Sequence, residues 1–238
     1  MDARPDPTRV RAMFARIAPR YDRMNRIMTL GRDSAWRRAT IEAAVPRADG
    51  WTLDLGCGTG DLLHLLVTGG ARRAIGLDPV EEMVSHTRER LGGRAILLRG
   101  DALTLPFADA TLDCIVSAFV LRNLDDLGGA IAEGYRALAP GGRFVALELT
   151  PHTMPIVGPV ARTFTRLAIP WLGGIIAGDR AAYTYLAHSI DRFPDCRALA
   201  HMLYERGFRK IRYRRFMLGS VALHSAEKPM PATPTWRA

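Results

Sequence analysis

The run Leu53-Asp54-Leu55-Gly56-Cys57-Gly58-Thr59-Gly60-Asp61 constrains the fold more than any other stretch of the chain. A short apolar strand pattern leads directly into glycines at alternate positions. The helical pattern Leu62-Leu63-His64-Leu65-Leu66 follows them. A strand-to-helix turn this tight needs backbone angles that glycine adopts without penalty, and bare backbone lets a ligand lie close. A second strand-like run, Ala74-Ile75-Gly76-Leu77, ends at Asp78. In doubly wound α/β sheets, an acidic residue about 20 positions after the glycines, at the tip of the second strand, holds ribose hydroxyls. The pair therefore predicts a nucleoside-bearing ligand across the carboxyl ends of the first two strands.

The rest of the chain repeats the alternation. Strands are expected at 51–55, 73–78, 94–99, 112–117 and 143–149. Helices are expected at 59–68, 80–91 and 126–138, the last stopped by Pro140-Gly141-Gly142. This pattern indicates a parallel sheet covered on both faces. Val10, Met13, Phe14 and Ile17 fall at i, i+3, i+4 and i+7, so an amphipathic helix opens the chain. A second helix is expected over Ser34 to Ala44, capped by Asp33 or Ser34. Both helices precede the first strand and suit a lid over 10–48. At the other end, a helix at 195–206 leads into strands 209–216 and 219–226, close enough to pair as an antiparallel hairpin. Residues 151–190 interrupt the core as an insertion rich in Pro, Gly and aromatics. Residues 1–9 and 229–238 read as disordered tails, leaving one domain over 10–228.

The net charge of +9 would suit nucleic acid, anionic lipid or acidic substrates. No Arg-Gly-rich or aromatic-interleaved basic segment supports nucleic acid. The three cysteines are scattered, which fits a reducing compartment and gives no metal-ligand spacing. The tract from Met154 to Ala177 is apolar, but Pro155, Pro159, Arg162, Arg166 and Pro170 break it, so it is a poor membrane span. With no signal-peptide pattern at the N-terminus, a cytoplasmic protein is expected.

Which nucleoside binds follows from spacing and charge. Dinucleotide sites usually read G-x-G-x-x-G and place a pyrophosphate at the helix N-terminus. Here the spacing is G-x-G-x-G, and Asp61 would repel a phosphate but not a cation. The motif resembles that of class I S-adenosylmethionine-dependent methyltransferases, whose ligand carries a sulfonium and an ammonium. After the third strand, Asp101-Ala102 is placed to meet the adenine. After the fourth stand Ser117 and then Leu121-Arg122-Asn123.

Over about Val10 to Lys228 the chain resembles the UbiE/COQ5 family, the C-methyltransferases of menaquinone and ubiquinone biosynthesis. The resemblance rests on Tyr21-Asp22-Arg23-Met24-Asn25 with Met28 and Trp36, on Leu105-Pro106-Phe107-Ala108-Asp109, and on Leu121-Arg122-Asn123. Further matches are Arg136 through Glu148, Tyr183 through Ile190, and Val221-Ala222-Leu223-His224. Thr29, Asp33, Ala137, Ala139, Thr150, Gly178, Arg180 and Ala182 depart from the family's pattern, and because the cofactor residues match it the departures bear on substrate identity.

The resemblance implies a Rossmann-like class I methyltransferase sheet, mostly parallel, with N-terminal helices and a helical insertion. It implies S-adenosylmethionine bound by Gly56, Gly58, Thr59, Asp78, Asp101, Ala102 and Ser117, with no metal. It implies C-methylation of a prenylated quinol, with Arg122 stabilising a phenolate or ordering a water while Asn123 and Tyr21 orient the ring. His152, His188 and His201 are alternative bases. A polyprenyl substrate implies transient contact with the inner face of the membrane, with the 156–176 tract receiving the tail. The same tract would equally serve as core packing or a homodimer contact. Another phenolic substrate is the main alternative. An RNA methyltransferase is less favoured, because Ser117-Ala118-Phe119-Val120 stands where such enzymes carry N-P-P-Y or D-P-P-Y.

Overall fold

The computed structural model describes residues 7–29, 31–47, 49–151 and 180–231, without the side chains of residues 18–25 among others. Two helices come first, α1 (Pro7–Met28) and α2 (Asp33–Ala44). Five βα-type elements follow: β1 (Trp51–Leu55), α3 (Asp61–Thr68), β2 (Arg73–Asp78), α4 (Glu81–Leu91) and β3 (Ile96–Arg99). After β4 (Leu112–Ala118) come α5 (Leu127–Ala137), β5 (Leu138–Leu149), α6 (Arg180–Arg192), α7 (Cys196–Glu205), β6 (Arg209–Phe216) and β7 (Val221–Glu227).

The seven strands form one sheet in the order β3-β2-β1-β4-β5-β7-β6. Strands β1 to β5 run parallel, and β7 is antiparallel to both of its neighbours. Strand side chains alternate between faces, and the core divides accordingly. Leu53, Leu55, Ile75, Leu77, Ile115 and Phe144 pack with α5 and α7 residues such as Ile131 and Leu199. Cys114, Val116, Val145 and Leu147 pack on the other face with Trp36 of α2 and Leu62, Leu63 and Leu66 of α3.

One detail adds to the sequence-based expectation and another departs from it. The hairpin forms, but its second strand lies inside the sheet, between β5 and β6. Burial explains the order. Val221, Ala222, Leu223 and His224 are buried, whereas β6 carries Arg209, Lys210, Arg212, Arg214 and Arg215 and suits an edge. Second, Pro140-Gly141-Gly142 does not separate helix from strand, because α5 runs directly into β5. The Gly141 N–H donates to the Lys228 carbonyl and the Lys228 N–H to that of Gly142, both at 2.8 Å, so pairing beyond β7 carries this stretch.

Between β1 and β4 the strand order reverses, which in open α/β sheets opens a crevice at the carboxyl ends. Helix α1 lies over this end. Phe14 and Ala15 pack on Val80 and Met83 at the start of α4, and Met13 and Ile17 pack on Ala182 and Tyr183 of α6. The expected 151–190 insertion is helical from Arg180 onward. The apolar tract up to Ala177 lies outside the described residues.

Candidate active site

The glycine turn after β1 is held by residues distant in sequence. The Gly56 and Cys57 N–H groups donate to the Leu77 carbonyl at 2.7 and 3.1 Å. Thr87 of α4 donates from Oγ1 to the Gly58 carbonyl at 2.7 Å, and Arg90 donates to that of Thr59 at 3.1 Å. At Gly56, with φ +71°, an added Cβ would stand 2.4 Å from Val120. Gly58, with φ +54°, faces open space.

This turn floors a cavity of about 350 Å³, within the range of small-molecule sites. Its lining includes Asp54, Asp61, Asp78, Asp101 and Asp125, against the two cations Arg11 and Arg37. Asp78 is buried, its Oδ2 accepting from the Gly58 N–H and its Oδ1 from the Val80 N–H, each at 2.9 Å. Both oxygens are thereby fixed, each with a lone pair remaining. Burial raises the Asp78 pKa, opposed by these two amides. Asp54 is more deeply enclosed, and burial pushes its carboxyl up to about 7. Its Oδ2 has no hydrogen-bond partner among the described residues. Burial, with Asp54 and Asp78 nearby, also lifts the Cys57 thiol well above its usual value, so it stays protonated.

On the side of β3, Asp101 accepts from the Leu103 N–H at 3.0 Å and pairs with Arg11 of α1 at 2.6 Å. Val10 and Phe14 join Arg11 in the lining, so α1 roofs the cavity. On the side of β4 the backbone turns sharply. Phe119 has φ +63°, an unfavourable region for a bulky residue. Its carbonyl accepts from Arg122 Nη1 at 2.6 Å and Asn123 Nδ2 at 3.3 Å. Asn123, Leu124 and Asp125 form the lip, and Tyr185 of α6 donates to Asn123 Oδ1 at 3.3 Å.

The fold around this cavity is shared with solved methyltransferases. A S-adenosylmethionine-dependent methyltransferase from Thermotoga maritima superposes with a TM-score of 0.67 at 18% identity, covering 91% of this chain and 98% of that one. A Haemonchus contortus phosphoethanolamine N-methyltransferase, in complex with S-adenosyl-L-methionine, gives 0.62 at 14% identity over 82% of this chain and 53% of that chain. At such identities the likeness concerns the fold alone. Sequence goes further. The family model for ubiE/COQ5 methyltransferases matches residues 3–228. The chain belongs to the ubiE/COQ5 methyltransferase family. It is 40% identical to a ubiquinone/menaquinone biosynthesis C-methyltransferase of Desulfotalea psychrophila, over 90% of this chain and 88% of that one. It is 39% identical to a demethylmenaquinone methyltransferase of Thermus thermophilus, over 91% of this chain and the whole of that one.

As a member of the ubiE/COQ5 family the chain is a methyltransferase, built on the fold of the S-adenosylmethionine-dependent enzymes. Among the residues singled out from sequence, the structure brings Gly56, Gly58, Thr59, Asp78, Asp101, Ala102 and Asn123 to one cavity. Ser117 is not in its lining. The Ser117 hydroxyl is fully buried and donates to the Leu55 carbonyl at 2.9 Å, so the side chain ties β4 to the end of β1. The Arg122 guanidinium is also outside the lining. It is buried against Glu148 of β5 at 2.6 Å, a carboxylate with no exposed surface. Tyr21 falls in α1, but its side chain lies outside the described residues, as does His152. His188 and His201 are exposed and absent from the lining. The sequence alone points to no ligand-binding role for Asp54, Arg37, Asp125 or the α1 residues Val10, Arg11 and Phe14. Asp54 was legible as a charge within an apolar strand. The others are brought in only by how the helices and loops pack.

Proposed function

We propose that this chain transfers a methyl group from S-adenosylmethionine to a ring carbon of a prenylated quinol, a demethylmenaquinol or a 2-polyprenyl-6-methoxybenzoquinol, in quinone biosynthesis. The observation that carries this reading is a glycine-floored cavity whose charged lining is mostly carboxylate, in a chain whose relatives bear the names of C-methyltransferases of those pathways. The residues present fit the cofactor. Open space above Gly58 admits a ligand to the backbone, and the unpartnered Asp54 oxygen suits a cation.

When bound, the cofactor supplies an activated methyl on a sulfonium. Asp78, with both oxygens fixed by amides, accepts from the ribose hydroxyls, and Asp101 with Ala102 meets the adenine. Gly56, Gly58 and Thr59 hold the chain of the ligand between them. The quinol ring docks at the lip, where Asn123 orients it and is itself held by Tyr185. To Asp125 falls the proton that the quinol hydroxyl gives up; the support is its Oδ1, buried at the cavity wall with no hydrogen-bond partner among the described residues. Arg122 and Glu148 set the shape of the lip. Positioning is the larger catalytic contribution, because holding two reactants in line is worth roughly 7–11 kcal/mol.

The prenyl tail requires contact with a bilayer. The charge of +9 supports a peripheral approach to anionic lipid. No described helix is long and apolar enough to cross a membrane.

The test is transfer of labelled methyl to chemically reduced demethylmenaquinone and to the methoxybenzoquinol. Product on either ring supports the proposal and names the substrate. Transfer to neither, with the cofactor bound, overturns the quinol assignment.

A further inference from the structure

Arg37 is held in an unusual state. It sits on α2, only 7% exposed, and lines the cavity together with Asp54 of β1. Its ion-pair contacts are long: Nε stands 4.0 Å from Asp33 and 3.8 Å from Asp61. Asp61 is engaged more closely by Arg90, at 2.7 Å. The Arg37 Nε is buried without a hydrogen-bond partner among the described residues. The guanidinium carbon lies 5.4 Å above the Phe119 ring, whose position depends on the strained backbone at that residue. A guanidinium has five donors in a planar fork that matches a carboxylate. Leaving even one donor of such a buried group unfilled is costly, and native structures keep one where something else fills it. The other cation of the lining, Arg11, is 46% exposed and already paired with Asp101 on the adenine side.

We infer that Arg37 is the receptor for the α-carboxylate of the cofactor's amino-acid end, a subsite supplied by α2 and not by the glycine turn. The inference rests on the cofactor reading above. Asp54, at the end of β1, stands ready for the neighbouring α-ammonium, so this part of the cavity reads a zwitterion. The fork takes the anion, the buried carboxylate takes the cation, and the Phe119 ring fixes the plane of the fork. Helix α2 thereby joins the binding machinery as well as the core. An adenosine thioether that lacks the carboxylate leaves the fork unfilled and binds more weakly.

The experiment is calorimetric binding of S-adenosylhomocysteine and of its decarboxylated analogue, S-adenosyl-3-thiopropylamine, to wild type, Arg37→Met and Arg37→Lys. Wild type is expected to favour the carboxylate-bearing ligand by at least about tenfold, since hydrogen bonds to charged groups are worth roughly 1.5–3 kcal/mol. Arg37→Met is expected to lose roughly 10–100-fold for S-adenosylhomocysteine and to discriminate between the two ligands no longer. Arg37→Lys keeps the charge without the fork and falls between. Equal weakening of both ligands in Arg37→Met, with discrimination intact, makes Arg37 a structural residue and overturns the inference. Equal affinity of wild type for the two ligands overturns it without any variant, whatever the stability of the mutants. Binding of neither ligand by wild type defeats the cofactor reading itself.

Discussion

At the scale of single residues, the cavity depends on one glycine and one carboxylate. Gly56 combines a left-handed backbone with a Val120 methyl where its own Cβ would stand. Gly56→Ala is expected to cost on the order of 2–4 kcal/mol, from left-handed strain and overpacking together, and to abolish cofactor binding. Denaturant unfolding and calorimetry check the two effects. Asp54 makes a prediction about pH. Burial raises its carboxyl from 3.8 to about 7, while Arg37 lowers it and Asp78 and Asp61 raise it. Below about pH 3.8 the group is neutral in both states and costs nothing. Between that value and about 7, the folded chain keeps a proton that the unfolded chain has released, so this contribution to stability falls as pH rises. Above it the cost is complete. Asp54→Asn should therefore gain on wild type between about pH 5 and pH 8, by on the order of 1–3 kcal/mol. Urea titrations at the two pH values test this, and a constant difference contradicts it. Cofactor affinity should strengthen as pH rises toward 7, as Asp54 ionises to meet a cation, and Asp54→Asn should lose that trend.

Between elements, the contact that matters most is the Arg122–Glu148 pair joining the loop after β4 to the end of β5. Glu148 Oε2 also accepts from the Arg122 N–H at 3.3 Å. Removing one partner of a buried pair leaves the other charge uncompensated, at roughly 3–5 kcal/mol. Arg122→Ala is thus expected to lose stability as well as activity, and activity loss alone does not make Arg122 a catalytic residue. The double variant Arg122→Met, Glu148→Leu should recover much of the melting temperature, because apolar replacements of both charges avoid the buried orphan. If the double variant also recovers methyl transfer, the pair is structural. If it melts like wild type and remains inactive, the lip needs the ions themselves. L-R-N was legible in sequence as three residues after a strand. That Glu148, 26 positions on, would claim the guanidinium was not, because the partnership exists only once β4 and β5 pair.

For the whole molecule, the excess of arginine bears on where the enzyme works. Association with vesicles containing anionic lipid is expected, weakening steeply as salt rises from about 0.05 to 0.5 M, because the Debye length shrinks over that range. Sedimentation with anionic and with purely zwitterionic vesicles checks it, and equal binding to both contradicts an electrostatic approach. The sequence by itself determined the alternating α/β architecture, the glycine turn and the carboxylate at the tip of β2. These are short-range features: hydrophobic period, turn chemistry and a fixed spacing between Gly58 and Asp78. Tertiary structure alone decided which strand of the final hairpin lies inside the sheet, through a competition for burial that neither strand reveals by itself. It alone turned Ser117 and Arg122 away from the cavity, since strand pairing supplied Leu55 and Glu148 as nearer partners. And it alone brought Arg37 of α2 and Asp54 of β1 to one cavity, because a helix and a strand meet only where their side chains pack.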